Sequence, residues 1–392
     1  MSEFNTKLVH GQPEYDNNTG AVNVPIYNSS TYVYPNADAK VKFDYERSGN
    51  PTRSYLENQV ALLENGVRGF AFSSGSAAIH SVLSIFSPGD HIIIGKNIYG
   101  GTFRIINDFF KRWQLEFTAV DTQNPEEVQA AIQPNTKAIY FETFTNPLLH
   151  VTSVKQISKI AKAHNILTIV DNTFLTPYLQ QPLNLGADIV IHSATKYLGG
   201  HSDVVAGIVV AKNENIAKLI YFNQNSIGAT LSPQDCSLIR RGIQTLAVRM
   251  DRHLSNAAKI VAFLQKRPEI TKLYYPGIDD GSRDHEIAAD ETNGFGGIIS
   301  FELKDGLDST QFVNGLHLIQ LAVSLGAVES LIELPYKMTH AELSRKEQLK
   351  AGITTQLVRL SVGIEDPKDL LKDLGQSLNQ LTRASLKKEA VR

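Results

Sequence analysis

The chain has 392 residues, of which 42% are apolar and 20% charged, with a net charge of −2. That length supports two or three domains with sizeable cores, and the balance is that of an ordinary globular protein. The near-neutral charge excludes a basic footprint for nucleic acid or an anionic membrane, and no apolar run is long enough to span a bilayer. The single cysteine, Cys236, excludes an internal disulfide and any multi-cysteine metal site, and reads as a small buried residue. The opening residues have no basic region followed by an apolar one, so the expectation is a cytoplasmic protein without a signal peptide.

Residues 1–50 are polar, rich in Asn, Tyr and Pro, and weakly periodic. They read as an extended arm rather than a domain, and the aromatic and basic mixture from Phe43 to Arg53 suggests that the arm reaches a partner surface. Ser54 to Asn65 has a helical pattern with Leu56, Val60 and Leu63 on one face, and Gly66 reads as its stop. Gly69–Phe72 is a short strand. It turns through Ser73-Ser74-Gly75-Ser76 into a helix predicted to reach Phe86. Gly75 lets a ligand approach the backbone, and the amides of the helix start, with the dipole, form a site for an anion.

His91–Ile94 is the next strand. Tyr99 follows at a strand-to-helix turn, either as a ring that stacks on a flat cofactor or as a core or cap tyrosine, and a helix is predicted over Phe103–Trp113. Ala138–Glu142 is a strand leading into Asn146-Pro147, and Ser153–His164 is a helix. Two apolar strands then end in polar residues. Ile166–Val170 runs into Asp171, and Ile189–Ile191 runs out through His192-Ser193-Ala194-Thr195-Lys196. Open α/β sheets place their ligands at the carboxyl ends of strands. A desolvated lysine there has a lowered pKa and forms Schiff bases with carbonyl compounds. A lysine on the aldehyde and a carboxylate on the pyridinium nitrogen are the pair that pyridoxal 5'-phosphate requires, and Ser193 and Thr195 add hydroxyls suited to its phosphate.

Ala206–Val210 completes an alternation of strand and helix that predicts an α/β domain, residues 51–246, with a mostly parallel sheet covered on both faces. Arg249–Gln265 reads as a helical bridge. Residues 247–392 form a smaller α+β domain, with strands at Ile298–Leu303 and Leu357–Val362. Arg359 lies inside the second of these. It needs an anionic partner, either a substrate carboxylate or an internal salt bridge. No zinc-protease helix, Walker A loop, dinucleotide glycine fingerprint or internal repeat is present.

Four motifs occur in a telling order: Tyr45–Arg53, Asp171-Asn172-Thr173, Ser193–Tyr197 and Glu329-Ser330-Leu331. Together they resemble the cysteine and methionine metabolism group of pyridoxal-phosphate enzymes, which contains cystathionine β- and γ-lyases, cystathionine γ-synthases, methionine γ-lyases and acylhomoserine sulfhydrylases. The resemblance runs from the arm to Arg359. It implies the aspartate-aminotransferase type of fold and an amino-acid substrate. Lys196 would carry the cofactor and shuttle protons, Asp171 would pair with its ring nitrogen, and Tyr99 would stack on the ring. Ser193, Thr195, Gly75 and Ser76 would hold the phosphate. Tyr45 and Arg47 would reach the phosphate of a neighbouring subunit, within a homotetramer built as a dimer of dimers. Arg359, helped by Asn146 and Ser330, would fix the α-carboxylate, and Arg104 the distal carboxylate of cystathionine.

The resemblance narrows the reaction less than the family. Gly101 stands where methionine γ-lyases usually carry a cysteine, and sulfhydrylases are typically longer chains. Glu329 matches γ-lyases and γ-synthases, whereas Asp44 matches synthases more than γ-lyases. The expectation is a lyase that cleaves cystathionine by γ- or β-elimination. The alternatives are γ-replacement, by a cystathionine γ-synthase or an acylhomoserine sulfhydrylase, and a catalytically dead ligand-binding protein.

Overall fold

A computed structural model describes residues 3–11 and 15–390, with side chains through residue 384. The chain divides into two compact units. The first comprises Met1–Thr143 with Thr152–Ala247, and the second Phe144–Val151 with Val248–Arg392.

The first unit is built on a seven-stranded sheet: β1 (Arg68–Phe72), β2 (His91–Gly95), β3 (Glu116–Val120), β4 (Thr136–Glu142), β5 (Leu167–Asp171), β6 (Ile189–Ser193) and β7 (Gly207–Ala211). Their spatial order is β1-β7-β6-β5-β4-β2-β3. Only β7 runs against its neighbours, so the sheet is mostly parallel, as expected. The sequence reason is the unbroken apolar run in β2, β6 and β7. Strands buried on both faces need no polar alternation, and β-branched residues suit the pleat. Ile92, Ile94, Ile169, Ile189, Ile191 and Val209 form the core of this unit, and Cys236 is buried as the sequence implied. Because β1, β2, β4, β5 and β6 are parallel, their carboxyl ends share one edge. The turns carrying Gly75, Tyr99, Glu142, Asp171 and Ser193 therefore leave the sheet on the same side.

Several boundaries differ from the sequence reading. The helix expected at Ser54–Asn65 is Pro51–Glu64. Asn50 caps it by accepting from the Arg53 amide at 3.2 Å, and Asn65, at φ 57°, ends it one residue before Gly66. The helix expected to reach Phe86 is Gly75–Leu83, capped by Ser74. The one expected at Phe103–Trp113 is α-helical only over Gly100–Arg104. It widens to a π-turn over Ile105–Phe109 and tightens to a 3-10 turn over Phe110–Trp113. Two β-branched residues and two rings packed on His80 favour that distortion over a regular helix. The arm begins with an unexpected helix, Phe4–His10. Its Leu8 is buried and its Leu8 carbonyl accepts from Gln59 at 2.7 Å.

The second unit is α+β. Its sheet has the order β10-β11-β12-β9-β8, with β8 at Ile270–Tyr274, β9 at Ile298–Leu303, β10 at Gln320–Leu321, β11 at Leu331–Glu333 and β12 at Leu357–Ser361. All pairs but β10–β11 are antiparallel. Phe301, Phe312, Val358, Leu360, Leu370 and Leu374 belong to its core. The helix Leu246–Leu264 continues the chain into this unit, starting three residues earlier than the periodicity indicated. Among the described residues, no helix is long and apolar enough to cross a membrane.

Candidate active site

Asp171 closes β5, and Ser193 closes β6 beside it, with Asp171 in register with Ile191. Beyond Ser193 the chain turns tightly. The Lys196 amide donates to the Ser193 carbonyl at 3.1 Å, and the Gly200 amide to the Lys196 carbonyl at 2.8 Å. Tyr197 is buried and anchors the turn, whereas Lys196 is half-buried rather than buried. Thr195 donates its hydroxyl to the Ala206 carbonyl at 3.2 Å and accepts from the Ala206 amide at 3.0 Å. It therefore clips the turn onto the start of β7.

The helix Gly75–Leu83 begins against Ser193. A Cβ at Gly75 would stand 3.1 Å from the Ser193 hydroxyl oxygen, so glycine permits this approach. The first-turn amides of a helix have no acceptor within it, and here the Ser193 hydroxyl lies beside them. Ser76, exposed in that turn, adds a second hydroxyl. The arrangement is a cradle for an anion of phosphate size.

The Asp171 carboxylate accepts from the Thr173 amide at 3.0 Å and from the Thr173 hydroxyl at 2.5 Å, both at Oδ1. The Tyr140 hydroxyl reaches Oδ2 at 3.4 Å. Burial pushes the Asp171 carboxyl above the usual carboxylate range, and the bonds from Thr173 pull against that. Burial raises the Tyr140 hydroxyl still further, so it stays a proton donor. On the neighbouring strand β6, buried His192 meets buried Glu64 at 2.7 Å.

Tyr99 stands just before the helix Gly100–Arg104. Its amide donates to Glu142 at 2.6 Å, and its ring is 47% exposed. The ring lies over Gly101 so closely that a Cβ at Gly101 would collide with it. Arg104 is exposed at the end of that helix. In the arm, Asp44 accepts from the Tyr45 amide at 2.7 Å, and both residues are exposed. Arg47 packs over the Tyr45 ring and donates to the Asn225 carbonyl of its own chain at 2.6 Å.

In the second unit, Arg359 on β12 is 2% exposed and directly opposite Glu333 on β11. The two form an ion pair at 3.0 Å, so the internal salt bridge is real. Arg359 also donates to the Asn146 side chain at 2.9 Å and to the Ser324 carbonyl at 2.7 Å. Ser330 donates its hydroxyl to Glu365 at 2.8 Å and accepts from the Gly363 amide at 2.8 Å, which commits it to the loop after β12. Glu329, next to it, is half-buried.

Thr173, Tyr140, Glu142 and Glu333 were not singled out from the sequence. Glu142 had a signal, because it ends an apolar strand as Asp171 does. The other three meet their partners only through strand pairing or a turn.

A half-buried lysine, a hydrogen-bonded carboxylate and an anion cradle on one edge of a parallel sheet define an enzyme for a phosphorylated aldehyde cofactor. Residues 5–379 match the family of Cys/Met metabolism PLP-dependent enzymes, and the chain belongs to it. It is 53% identical to a cystathionine β-lyase of Lactococcus lactis subsp. cremoris, over 97% of this chain and all of that one. It is 51% identical to a cystathionine γ-lyase of Bacillus subtilis, over 96% and 99%. Among solved structures, cystathionine γ-lyase of Lactobacillus plantarum complexed with L-serine superposes with a TM-score of 0.95 at 51% identity, covering 97% of this chain and all of that one. The enzyme therefore depends on pyridoxal phosphate. The residues present fit that group: the Gly75 approach leaves room for a phosphate that any larger residue would fill, and Asp171 supplies the carboxylate.

Proposed function

We propose that the chain is a carbon–sulfur lyase that cleaves L-cystathionine by β- and/or γ-elimination. The observation that carries this reading is the placement of Asp171 at the end of β5 and of Lys196 in the turn after the adjacent parallel β6, beside the Gly75 helix start. The names of both β- and γ-lyases among its half-identical relatives support it. Cystathionine γ-synthase or acylhomoserine sulfhydrylase activity is the alternative, favoured by Asp44.

The cofactor, when bound, supplies an electron sink that makes the substrate's α-proton acidic. The chain does the rest. The Lys196 Nζ would hold the cofactor and would take and return the substrate's protons as a general base and acid. Asp171 keeps the ring nitrogen protonated through its negative charge. Tyr99 would cover the ring, while Ser193, Ser76 and the Gly75 amide would hold the phosphate; Thr195, whose hydroxyl is given to the Ala206 carbonyl, would fix the turn beside it. Arg359, held by Asn146 and Glu333, with Ser330 bonded to the loop after its strand, would receive the α-carboxylate. Arg104 takes the distal carboxylate, and Glu329 the distal ammonium.

The arm carries the proposal of a shared site in a homotetramer. Val22, Ile26, Val33, Tyr34 and Tyr45 are all exposed in the arm, a density of apolar side chains that a neighbouring subunit would cover. Tyr45 and Arg47 lie in the same segment and would serve the neighbour's phosphate. A near-neutral chain with one cysteine suits work in the cytoplasm.

The test is product identification. The pure protein is incubated with L-cystathionine, and separately with an O-acylhomoserine plus cysteine. Pyruvate with homocysteine, or 2-oxobutyrate with cysteine, is expected from the first. Cystathionine formed from the second, with no cleavage of the first, would overturn the lyase reading. Lys196→Ala is expected to fold but to lose the visible cofactor band and all turnover. Retained turnover would remove Lys196 from its role.

A further inference from the structure

We propose that Thr173 is a positioning residue for the cofactor: its hydroxyl, held by the Ser193 amide, fixes the orientation of the Asp171 carboxylate. The inference rests on Asp171 being the partner of the ring nitrogen.

The hydroxyl has no freedom. The Ser193 amide can only donate, and it points at Thr173 Oγ1 at 2.8 Å. An ionised carboxylate can only accept, and Asp171 Oδ1 lies 2.5 Å from the same oxygen. The Thr173 proton therefore has one place to go. The Thr173 amide at 3.0 Å gives the same oxygen a second donor. Two bonds on Oδ1 set the rotation of the carboxylate and leave Oδ2 for the group it serves, with only the long Tyr140 contact beside it.

The backbone beneath is pinned as well. Asn172 is fully buried. Its side chain accepts from Thr143 at 3.1 Å and donates to the Gln180 carbonyl at 2.9 Å. A β-branched residue next to it adds a stiff χ1. One hydroxyl thus joins the two strand ends that hold opposite sides of the cofactor: the carboxylate on β5 and the phosphate hydroxyl of Ser193 on β6. Charge follows orientation. Burial favours a protonated Asp171, which could not hold a proton on the ring nitrogen, and the Thr173 bonds oppose that.

The experiment uses holoenzyme carrying ¹⁵N-labelled pyridoxal phosphate and reads the pyridine nitrogen resonance, with kinetics alongside. Thr173→Val removes the hydroxyl at constant shape, and Thr173→Ala is the second variant should the valine chain fail to fold. The resonance is expected to move toward the unprotonated position. The kcat should fall by about ten-fold to a hundred-fold, the range for one hydrogen bond to a charged group, with little change in KM. Thr173→Ser should restore both readouts, which a purely structural role would not require. An unmoved resonance in both hydroxyl-free variants, while Asp171→Asn moves it, overturns the proposal and spares the Asp171 reading. An unmoved resonance in Asp171→Asn itself overturns both.

Discussion

Tyr99 and Gly101 show how much one position can decide. The ring occupies the space a Cβ at Gly101 would need. The nearest atoms belong to a ring half-exposed to solvent, so a larger residue displaces the ring rather than the backbone. Gly101→Val, a branched residue larger than the cysteine that methionine γ-lyases carry there, is therefore expected to displace the ring and shift the cofactor's absorbance, with turnover lowered several-fold. An unchanged spectrum in Gly101→Val would show that the position of the ring does not set that absorbance. Glu329 is the corresponding position proposed for the substrate. A carboxylate near the distal ammonium favours cystathionine over short apolar substrates that leave it unpaired. Glu329→Ala should raise KM for cystathionine and change the ratio of cysteine-forming to homocysteine-forming cleavage. Equal KM and ratio would assign Glu329 to the loop alone. At this scale the sequence displayed the groups proposed to react, because lysine, aspartate and arginine at the ends or middle of apolar strands are conspicuous. It concealed the groups that hold them. Thr173 looks like any turn residue, and Glu333 meets Arg359 only through the register of β11 on β12.

The elements around Arg359 depend on the helix Leu246–Leu264 and the loop after β12. His253 on that helix donates its Nδ1 proton to the Val362 carbonyl at 2.7 Å, and Asn256 donates to the Gly363 and Glu365 carbonyls at 3.0 and 2.9 Å. Glu365 in turn receives Ser330, so the helix holds the loop that holds Ser330. Burial depresses the His253 pKa from 6.5 to about 4, with Arg249 adding to the effect. The unfolded chain would bind a proton below pH 6.5 that the folded chain refuses. The neutral state is thus fully favoured above about pH 6.5, and stability falls as pH drops toward 4, by about 3 kcal/mol over the whole interval. His253→Gln, which keeps a donor for Val362 but cannot titrate, is expected to flatten the fall in thermal midpoint between pH 6.5 and 4.5. Identical pH slopes in the two proteins would dismiss the effect. Elements were legible where a cap or a continuous apolar run announced them, as in β2, β6 and Gly75–Leu83. The exposed edge strand β3 has a half-polar face and gave little signal. The segment after Tyr99 misled, because its periodicity is helical while its rings and branched residues spread the turn into a π-bulge.

At the level of the whole molecule, the alternation of strand and helix made the parallel sheet legible, since only helical crossovers return a chain to a parallel neighbour. The antiparallel β7 was not, because an apolar run carries no direction. The proposal of a site shared between two copies rests on the arm. Its Tyr45 and Arg47 are exposed, and Arg47 is held by a single backbone carbonyl and a longer contact to the same residue, Asn225. The rest of the motif is firmly tied: Arg53 pairs with Glu46 at 2.5 Å, and Asn50 donates to the Tyr27 carbonyl at 2.8 Å. Exposed side chains on a firmly tied segment fit the proposal that Tyr45 and Arg47 reach outside their own chain. If they reach the phosphate of a neighbouring subunit, Arg47→Ala chains and Lys196→Ala chains are each inactive for different reasons. A mixed dimer then has one site with the native lysine and the native Arg47, and one site lacking both. Random exchange makes half of the dimers mixed, each with one working site of two, so about a quarter of wild-type activity should return. Activity that stays at the level of the separate variants, after exchange is verified by differently tagged chains, would mean that Arg47 serves the site of its own chain.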